Sequence, residues 1–206
     1  MSSSLAFKAS LAALGGAGVA GGGLLLGKNA LSSSPEEKPK ELISKVLEKS
    51  LMSFTDSGLS SNWEARKTKL GKAQDSDLIP SLKRVKGKSG HTADDVKQWC
   101  KENVGGFVDD EDGRKFKNVS DYCTFNIKDK LTNAISNGDW NAAKEKIKKA
   151  ADPLSPDMSA IKTELNKTQG GNDNALKEWC EKSYDKMFIG EQDQSFKDAS
   201  SYCVSA

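Results

Sequence analysis

The sequence predicts an all-α protein in which two tandem helical repeats of about 80 residues follow an N-terminal hydrophobic helix. Three observations predict this fold class: the chain begins with a long uncharged segment, its C-terminal part repeats an earlier part, and apolar residues recur at the spacing of a helix face. Sustained alternation of apolar and polar residues does not occur, so we expect no half-buried strands.

The N-terminal segment contains an uninterrupted run without a charge, Ala9–Gly27, between Lys8 and Lys28. A helix of this length is about 28 Å long, which is close to the ~30 Å thickness of the hydrocarbon core of a bilayer. We therefore expect a signal anchor over residues 1–31 that crosses the cell membrane once. A polar linker over residues 32–40 follows it.

Two alternatives for the N-terminal segment remain open. The small residues Val19, Ala20 and Gly21 suit recognition by a signal peptidase, which would make the segment a cleaved secretory peptide and the body a secreted protein. The many glycines would also suit a disordered Gly/Ala tail. Lysines lie on both sides of the segment, so the positive-inside rule does not choose the side of the membrane on which the body lies.

The duplication is clearest where Val96–Cys123 is aligned with Leu176–Cys203 at a constant offset in the numbering. The matched pairs are Trp99 with Trp179, Cys100 with Cys180, Phe116 with Phe196, Lys117 with Lys197, Ser120 with Ser200, Tyr122 with Tyr202, and Cys123 with Cys203. So many matched aromatic and cysteine residues indicate a tandem repeat rather than chance similarity.

The repeat extends upstream with two changes of offset. Trp63 matches Trp140 at a slightly smaller offset than the cysteines. Further upstream the offset is larger again, and the matched pairs are Ile43 with Ile127, Leu47 with Leu131, and Leu51 with Ile135. Residues 41–125 are therefore predicted to form the first repeat and residues 126–206 the second.

Each repeat has the apolar spacing and the capping residues of about four helices. The first helix of each repeat is predicted from apolar residues about four positions apart: Ile43, Leu47 and Leu51 in one repeat, and Ile127, Leu131, Ala134 and Ile135 in the other. Later helices are predicted from their N-caps: Thr92 with Asp95 before Val96 and Trp99, Asp139 before Trp140, Ala143 and Ile147, and Ser155-Pro156 before Met158, Ile161 and Leu165.

The four cysteines occur two per repeat, and the separation within each pair is the same. A disulfide within each repeat would close a loop of that length and stabilise the fold by roughly 3–4 kcal/mol through the unfolded state. An export signal makes an oxidising compartment the natural setting for such bonds. Of the three connectivities we favour Cys100–Cys123 with Cys180–Cys203; the alternative is that all four are buried free thiols.

The four tryptophans are interpreted as core residues rather than as platforms for a ligand. Trp63, Trp99, Trp140 and Trp179 are repeated in matched pairs, and each has apolar neighbours at helical spacing. An indole ring buries a large apolar area, which suits a body whose hydrophobic content is low.

Several kinds of chemistry find no support in the sequence. With 31 basic and 29 acidic side chains the net charge is +2, whereas a dedicated nucleic-acid binder needs a basic excess on one face. His91, the one histidine, has no counterpart in the second repeat, so the duplicated cysteines do not depend on a Cys-His pair. Zinc-ligand spacings do not occur, and Val108–Gly113 is better explained as a solvated acidic loop than as a calcium loop. We therefore expect no catalytic residue, cofactor, metal or small-molecule substrate.

The opening "MSSSLAFKASLAALGGAGVAGGG", the polar linker, and the Lys-rich helical segments with their Trp-Cys and Cys spacings resemble the large paralogous families of uncharacterised proteins of haemotropic mycoplasmas. This resemblance implies a wall-less bacterium, export or membrane attachment, and contact with host red cells or antibodies. It implies no functional residue.

The function expected from these features is that of a membrane-anchored, surface-exposed interaction or antigen protein without catalytic activity. Its body would lie outside the cell, and its partners would be a host-cell surface protein or an antibody. The alternative is a structural or assembly component of the bacterial envelope held by the same anchor.

Overall fold

The computed structural model describes residues 40–136 and 138–205, and the predicted anchor and most of the predicted linker lie outside these residues. This part of the chain contains nine α-helices: α1 Ile43–Val46, α2 Ser60–Lys72, α3 Pro80–Gly87, α4 Ala93–Asn103, α5 Arg114–Cys123, α6 Asn141–Lys148, α7 Pro156–Asn166, α8 Ala175–Tyr184 and α9 Gln194–Tyr202. Its extended segments form isolated bridges rather than strands. The predicted all-α class is confirmed.

The prediction of a long first helix was wrong in both halves of the body. In the first half, residues 41–125, α1 is a single turn, and Leu51 forms an isolated bridge with Thr124. In the second half, residues 126–205, a 3₁₀ turn at Lys128–Lys130 is followed by a further turn with Asn133 at φ 58°, after which Ala134 forms an isolated bridge with Val204. The four-residue spacing identified positions that are buried or partly buried, but long-range backbone hydrogen bonds decided their conformation.

Those long-range bonds are similar in the two halves, and the third of them makes Met52 the counterpart of Ile135, where the sequence predicted Leu51. In each half, three backbone hydrogen bonds of 2.9–3.0 Å join the entry segment to the chain around the last two helices. In the first half the N–H groups of Ile43, Val108 and Met52 donate to the carbonyls of Gly106, Glu41 and Cys123. In the second half those of Ile127 and Ile135 donate to Lys186 and Cys203, and that of Phe188 donates to Phe125, the last residue of the first half. Because these groups bond outside their own segment, they do not extend a local helix.

The N-caps predicted for α4 and α7 are confirmed. The Thr92 hydroxyl accepts a hydrogen bond from the Asp95 N–H, and the Asp95 carboxylate accepts one from the Thr92 N–H, which completes a capping box. Ser155 accepts a hydrogen bond from the N–H of Met158 at 3.2 Å. At α6 the cap differs from the prediction, because Asp139 accepts from the Asn141 N–H at 2.8 Å and the helix begins at Asn141.

Each half has a hydrophobic cluster of its own. The first is built from buried residues of α1–α5, among them Ile43, Leu70, Leu82, Val96 and Val119. The second is built from buried residues of the second half, among them Ile127, Ile147, Met158, Leu176 and Ala199. Met187 of the second half packs against the first cluster, so apolar contact continues across the junction.

Candidate functional site

The disulfide pairing favoured from the sequence is confirmed. Cys100 of α4 is bonded to Cys123 of α5, with Cα atoms 5.5 Å apart, and Cys180 of α8 is bonded to Cys203 after α9, with Cα atoms 5.6 Å apart. All four side chains are buried, and the described residues contain no free cysteine. The first bond therefore joins α4 to α5, and the second joins α8 to the residue that follows α9.

The tryptophans occupy similar places but are not equally buried. Trp63, Trp99 and Trp140 are buried, whereas Trp179 is only partly buried and packs at the edge of the second cluster. Their indole N–H groups also differ in their partners. That of Trp99 donates to the Ser81 hydroxyl at 3.0 Å, and that of Trp179 donates to the carboxylate of Asp157 at 2.9 Å.

The described body has a groove of about 920 Å³ on its surface. It is lined by residues of α2 and α5 and by residues of the chain after α5 and after α8. We call it the junction groove because its walls come from both halves. Its charged lining residues are Arg66, Lys69, Lys72, Asp77, Lys117, Asp121, Lys128, Asp129 and Asp185.

The carboxylate of Asp121 forms ion pairs with one lysine from α2 and one lysine from α5. Lys69 Nζ lies 3.3 Å and Lys117 Nζ lies 2.6 Å from oxygens of Asp121. Lys69 also donates to the Asp121 backbone carbonyl at 3.2 Å and lies 5.5 Å from the centre of the Tyr122 ring. Burial raises the pKa of the Tyr122 phenol to about 12, with smaller contributions from Asp121 and Asp77, so the phenol is neutral at physiological pH.

The contact between Lys69 and Tyr122 has a counterpart in the second half. Lys146 donates to the carbonyl of Ser201 at 2.8 Å and lies 5.8 Å from the centre of the Tyr202 ring. Asp121 itself is matched by Ser201, so the second half keeps the lysine-over-tyrosine packing but lacks the carboxylate that gathers two lysines.

The lining of the junction groove includes a buried ion pair that the sequence did not predict. The Arg66 guanidinium of α2 pairs with the Asp129 carboxylate and also donates to the Thr124 carbonyl. Asp129 accepts a further hydrogen bond from the Asn126 N–H at 2.8 Å. One feature of the sequence could have indicated this pair. Arg66 lies on the apolar face of α2, and the corresponding residue of the second half is Ala143.

His91 and the acidic loop Val108–Gly113 show no arrangement typical of a catalytic or metal site. His91 lies in the loop between α3 and α4. In the acidic loop, Asp110 accepts hydrogen bonds from the Phe107 N–H at 3.0 Å and from Lys115 Nζ at 3.1 Å. Among the described residues no group of three histidine, cysteine, aspartate or glutamate side chains is placed to hold a metal ion.

No protein-family model matches the chain, and no curated protein or solved structure is significantly similar to it. Within residues 40–136 and 138–205, no helix has the length and apolar character needed to cross a membrane. The assignment of function therefore depends on the chemistry of the chain itself.

Proposed function

We propose that this protein is an exported, membrane-anchored interaction protein that displays a disulfide-stabilised helical body at the cell surface and has no catalytic activity. The observation that carries the proposal is the pair of buried disulfides, one in each half. Structural disulfides form and persist in oxidising environments and are rare in the cytosol. A chain with two of them behind a long uncharged N-terminal segment fits export.

We infer further that the body arose by tandem duplication of one helical unit. The matched disulfides, the three matched backbone hydrogen bonds and the matched lysine-over-tyrosine contacts support this inference. Independent origin of the two halves would not reproduce bonds at corresponding positions. The duplication doubles the exposed helical surface and leaves each copy its own cluster of apolar side chains.

The junction groove is the surface that suits a polypeptide partner. It is open and carries charges of both signs, and Lys72 and Lys128 have no carboxylate partner within the described residues. Unpaired lysines in an open groove suit a protein surface of complementary charge better than one compact substrate. A host-cell protein or an antibody has such a surface, in line with the resemblance to the proteins of haemotropic mycoplasmas.

Binding of the full chain, displayed on cells, to erythrocyte membranes tests the proposal. We expect saturable binding that weakens with rising salt, because charged contacts are screened. Lys72→Glu with Lys128→Glu should reduce it, whereas Lys101→Glu with Lys182→Glu, two exposed lysines outside the groove, should not. Equal loss in both double variants would contradict the role of the groove.

Protease treatment of intact cells tests the location of the body. Digestion of the body in intact cells is expected, with a cytosolic bacterial protein as the control for envelope integrity. Complete protection would contradict surface display. Proximity labelling that returned only bacterial envelope proteins, together with no binding to host membranes, would favour the alternative of an envelope assembly component.

A further inference from the structure

We propose that an apolar patch at the start of the body docks onto the lipid surface of the membrane that holds the protein. This inference rests on the proposed membrane anchor. Val46 of α1 is 44% exposed, and Ile189, between α8 and α9, is 56% exposed. They are the exposed large hydrophobic residues of the described body, and both line one shallow cavity of about 450 Å³. We call this surface the lipid patch.

The lipid patch continues into partly buried apolar side chains and has a basic edge. Phe116 and Met187 line the same cavity, so the exposed residues are part of a continuous apolar surface. Lys45 and Lys49, on either side of Val46 along the chain, also line the cavity and form no ion pair within the described residues. Glu48 lines the cavity as well, so two lysines and one glutamate leave this edge with a single net positive charge. Apolar side chains bordered by lysines suit the boundary between acyl chains and anionic headgroups.

The position of the patch along the chain identifies the membrane as its occupant. The uncharged segment ends at Gly27, and α1 begins at Ile43. The connecting residues, 28–42, span at most about 54 Å when fully extended. A short tether gives its far end an effective concentration on the order of 1 mM at the surface to which it is attached. Even a weak lipid contact is then appreciably occupied.

Docking of the lipid patch would fix the orientation of the body relative to the membrane. Docking through α1 and the chain before α9 would hold the body close to the bilayer in one preferred orientation instead of letting it rotate about its linker. The remaining surface would then face outward for contact with a partner. An apolar patch that would otherwise promote aggregation is covered in this arrangement.

The test uses the isotopically labelled full chain, one copy per lipid nanodisc made of phosphatidylcholine and phosphatidylglycerol in equal parts. A lipid carrying gadolinium on its headgroup enhances relaxation of nearby nuclei. We expect the enhancement at residues 44–49 and 187–190 to exceed the mean of the body several-fold. Val46→Ser with Ile189→Ser should bring it down to the mean, whereas Ala142→Ser with Ala160→Ser, at two exposed helix positions outside the patch, should leave it unchanged.

The outcomes separate the two proposals. A chain that enters nanodiscs but is relaxed uniformly would overturn the docking inference and leave the anchor intact. A chain that does not enter nanodiscs would overturn both. Patch signals that change with protein concentration and not with the headgroup probe would assign the surface to a second copy of the chain and overturn lipid docking. In nanodiscs of phosphatidylcholine alone the enhancement should fall, because the lysine contribution is lost.

Discussion

Arg66 and Asp129 form a buried ion pair that joins the two halves of the body. The pair is 63 residues apart in sequence, and its side chains are 3% and 10% exposed. Both charges have additional hydrogen-bond partners, the Thr124 carbonyl for Arg66 and the Asn126 N–H for Asp129. The relative position of the halves therefore depends on a contact in which neither charge is left without a partner.

Removing one member of this pair should be strongly destabilising. Asp129→Ala leaves the Arg66 charge buried with only a carbonyl as acceptor, and we expect a loss of about 3–5 kcal/mol in the free energy of unfolding. Urea unfolding followed by circular dichroism measures it. Arg66→Met with Asp129→Leu should be less destabilising than the sum of the single changes, because no buried charge remains.

An exposed ion pair in the same helix provides the control. Lys67 and Glu64 of α2 pair at 3.2 Å on the solvent side. Lys67→Ala should change the free energy of unfolding by about 1 kcal/mol or less, as expected for a surface pair. An Asp129→Ala variant no less stable than Lys67→Ala would contradict the assigned role of the buried pair.

The two disulfides should stabilise the body by similar and nearly additive amounts. Each joins cysteines at a sequence separation of 23, so replacing either pair by serine should cost about 3 kcal/mol through the unfolded chain. Additivity is expected because the bonds lie in different clusters. Thermal unfolding of the two double variants and of the quadruple variant measures this. Strong non-additivity would mean that the two bonds are energetically coupled, which would contradict their independence.

The matched tryptophans should differ in their cost of removal. Trp99 is buried, and its indole N–H is bonded to Ser81, whereas Trp179 is partly exposed and bonded to Asp157. We expect Trp99→Ala to cost about 3–5 kcal/mol and Trp179→Ala about half as much, since less apolar area is lost. Denaturant midpoints of the two variants give the comparison. A larger cost for Trp179 would contradict its position at the cluster edge.

Alkaline pH should destabilise the body through two tyrosines. Burial raises the pKa of Tyr122 and of Tyr184 from 10.0 to about 12. Because the folded pKa lies above the unfolded one, the unfolded state loses its proton first as the pH rises. The stabilisation is therefore fully present below pH 10 and is lost between about pH 10 and pH 12.

Spectrophotometric titration near the tyrosinate band, paired with unfolding curves at each pH, measures this loss. Tyr122→Phe and Tyr184→Phe should each flatten the alkaline decline. Tyr184→Phe also removes hydrogen bonds to the carbonyls of Ile135, at 3.0 Å, and Cys203, at 2.5 Å, so it should in addition lower stability at neutral pH. An unchanged alkaline decline in both variants would assign the effect to other groups.

Features built from short-range interactions could be read from the sequence. The caps at Thr92 and Ser155 depend on hydrogen bonds within a single turn of chain, and the disulfides join cysteines in adjacent helices of one half. The burial of Ile43 and Ile127 followed from their spacing. These interactions have few competing partners, so composition and spacing were sufficient to predict them.

The conformation of the two entry segments and the junction groove depended on partners far away in sequence. Leu51 and Ala134 lie in extended chain because backbone groups around Cys123 and Val204 offer bonds that a local helix cannot use. The position of Arg66 is occupied by Ala143 in the second half, so the pairing of Arg66 with Asp129 had no counterpart there from which it could be predicted. The partner of a long-range ion pair is decided by the packing of all the helices together. A local sequence pattern does not indicate which of the many carboxylates will lie next to a given arginine.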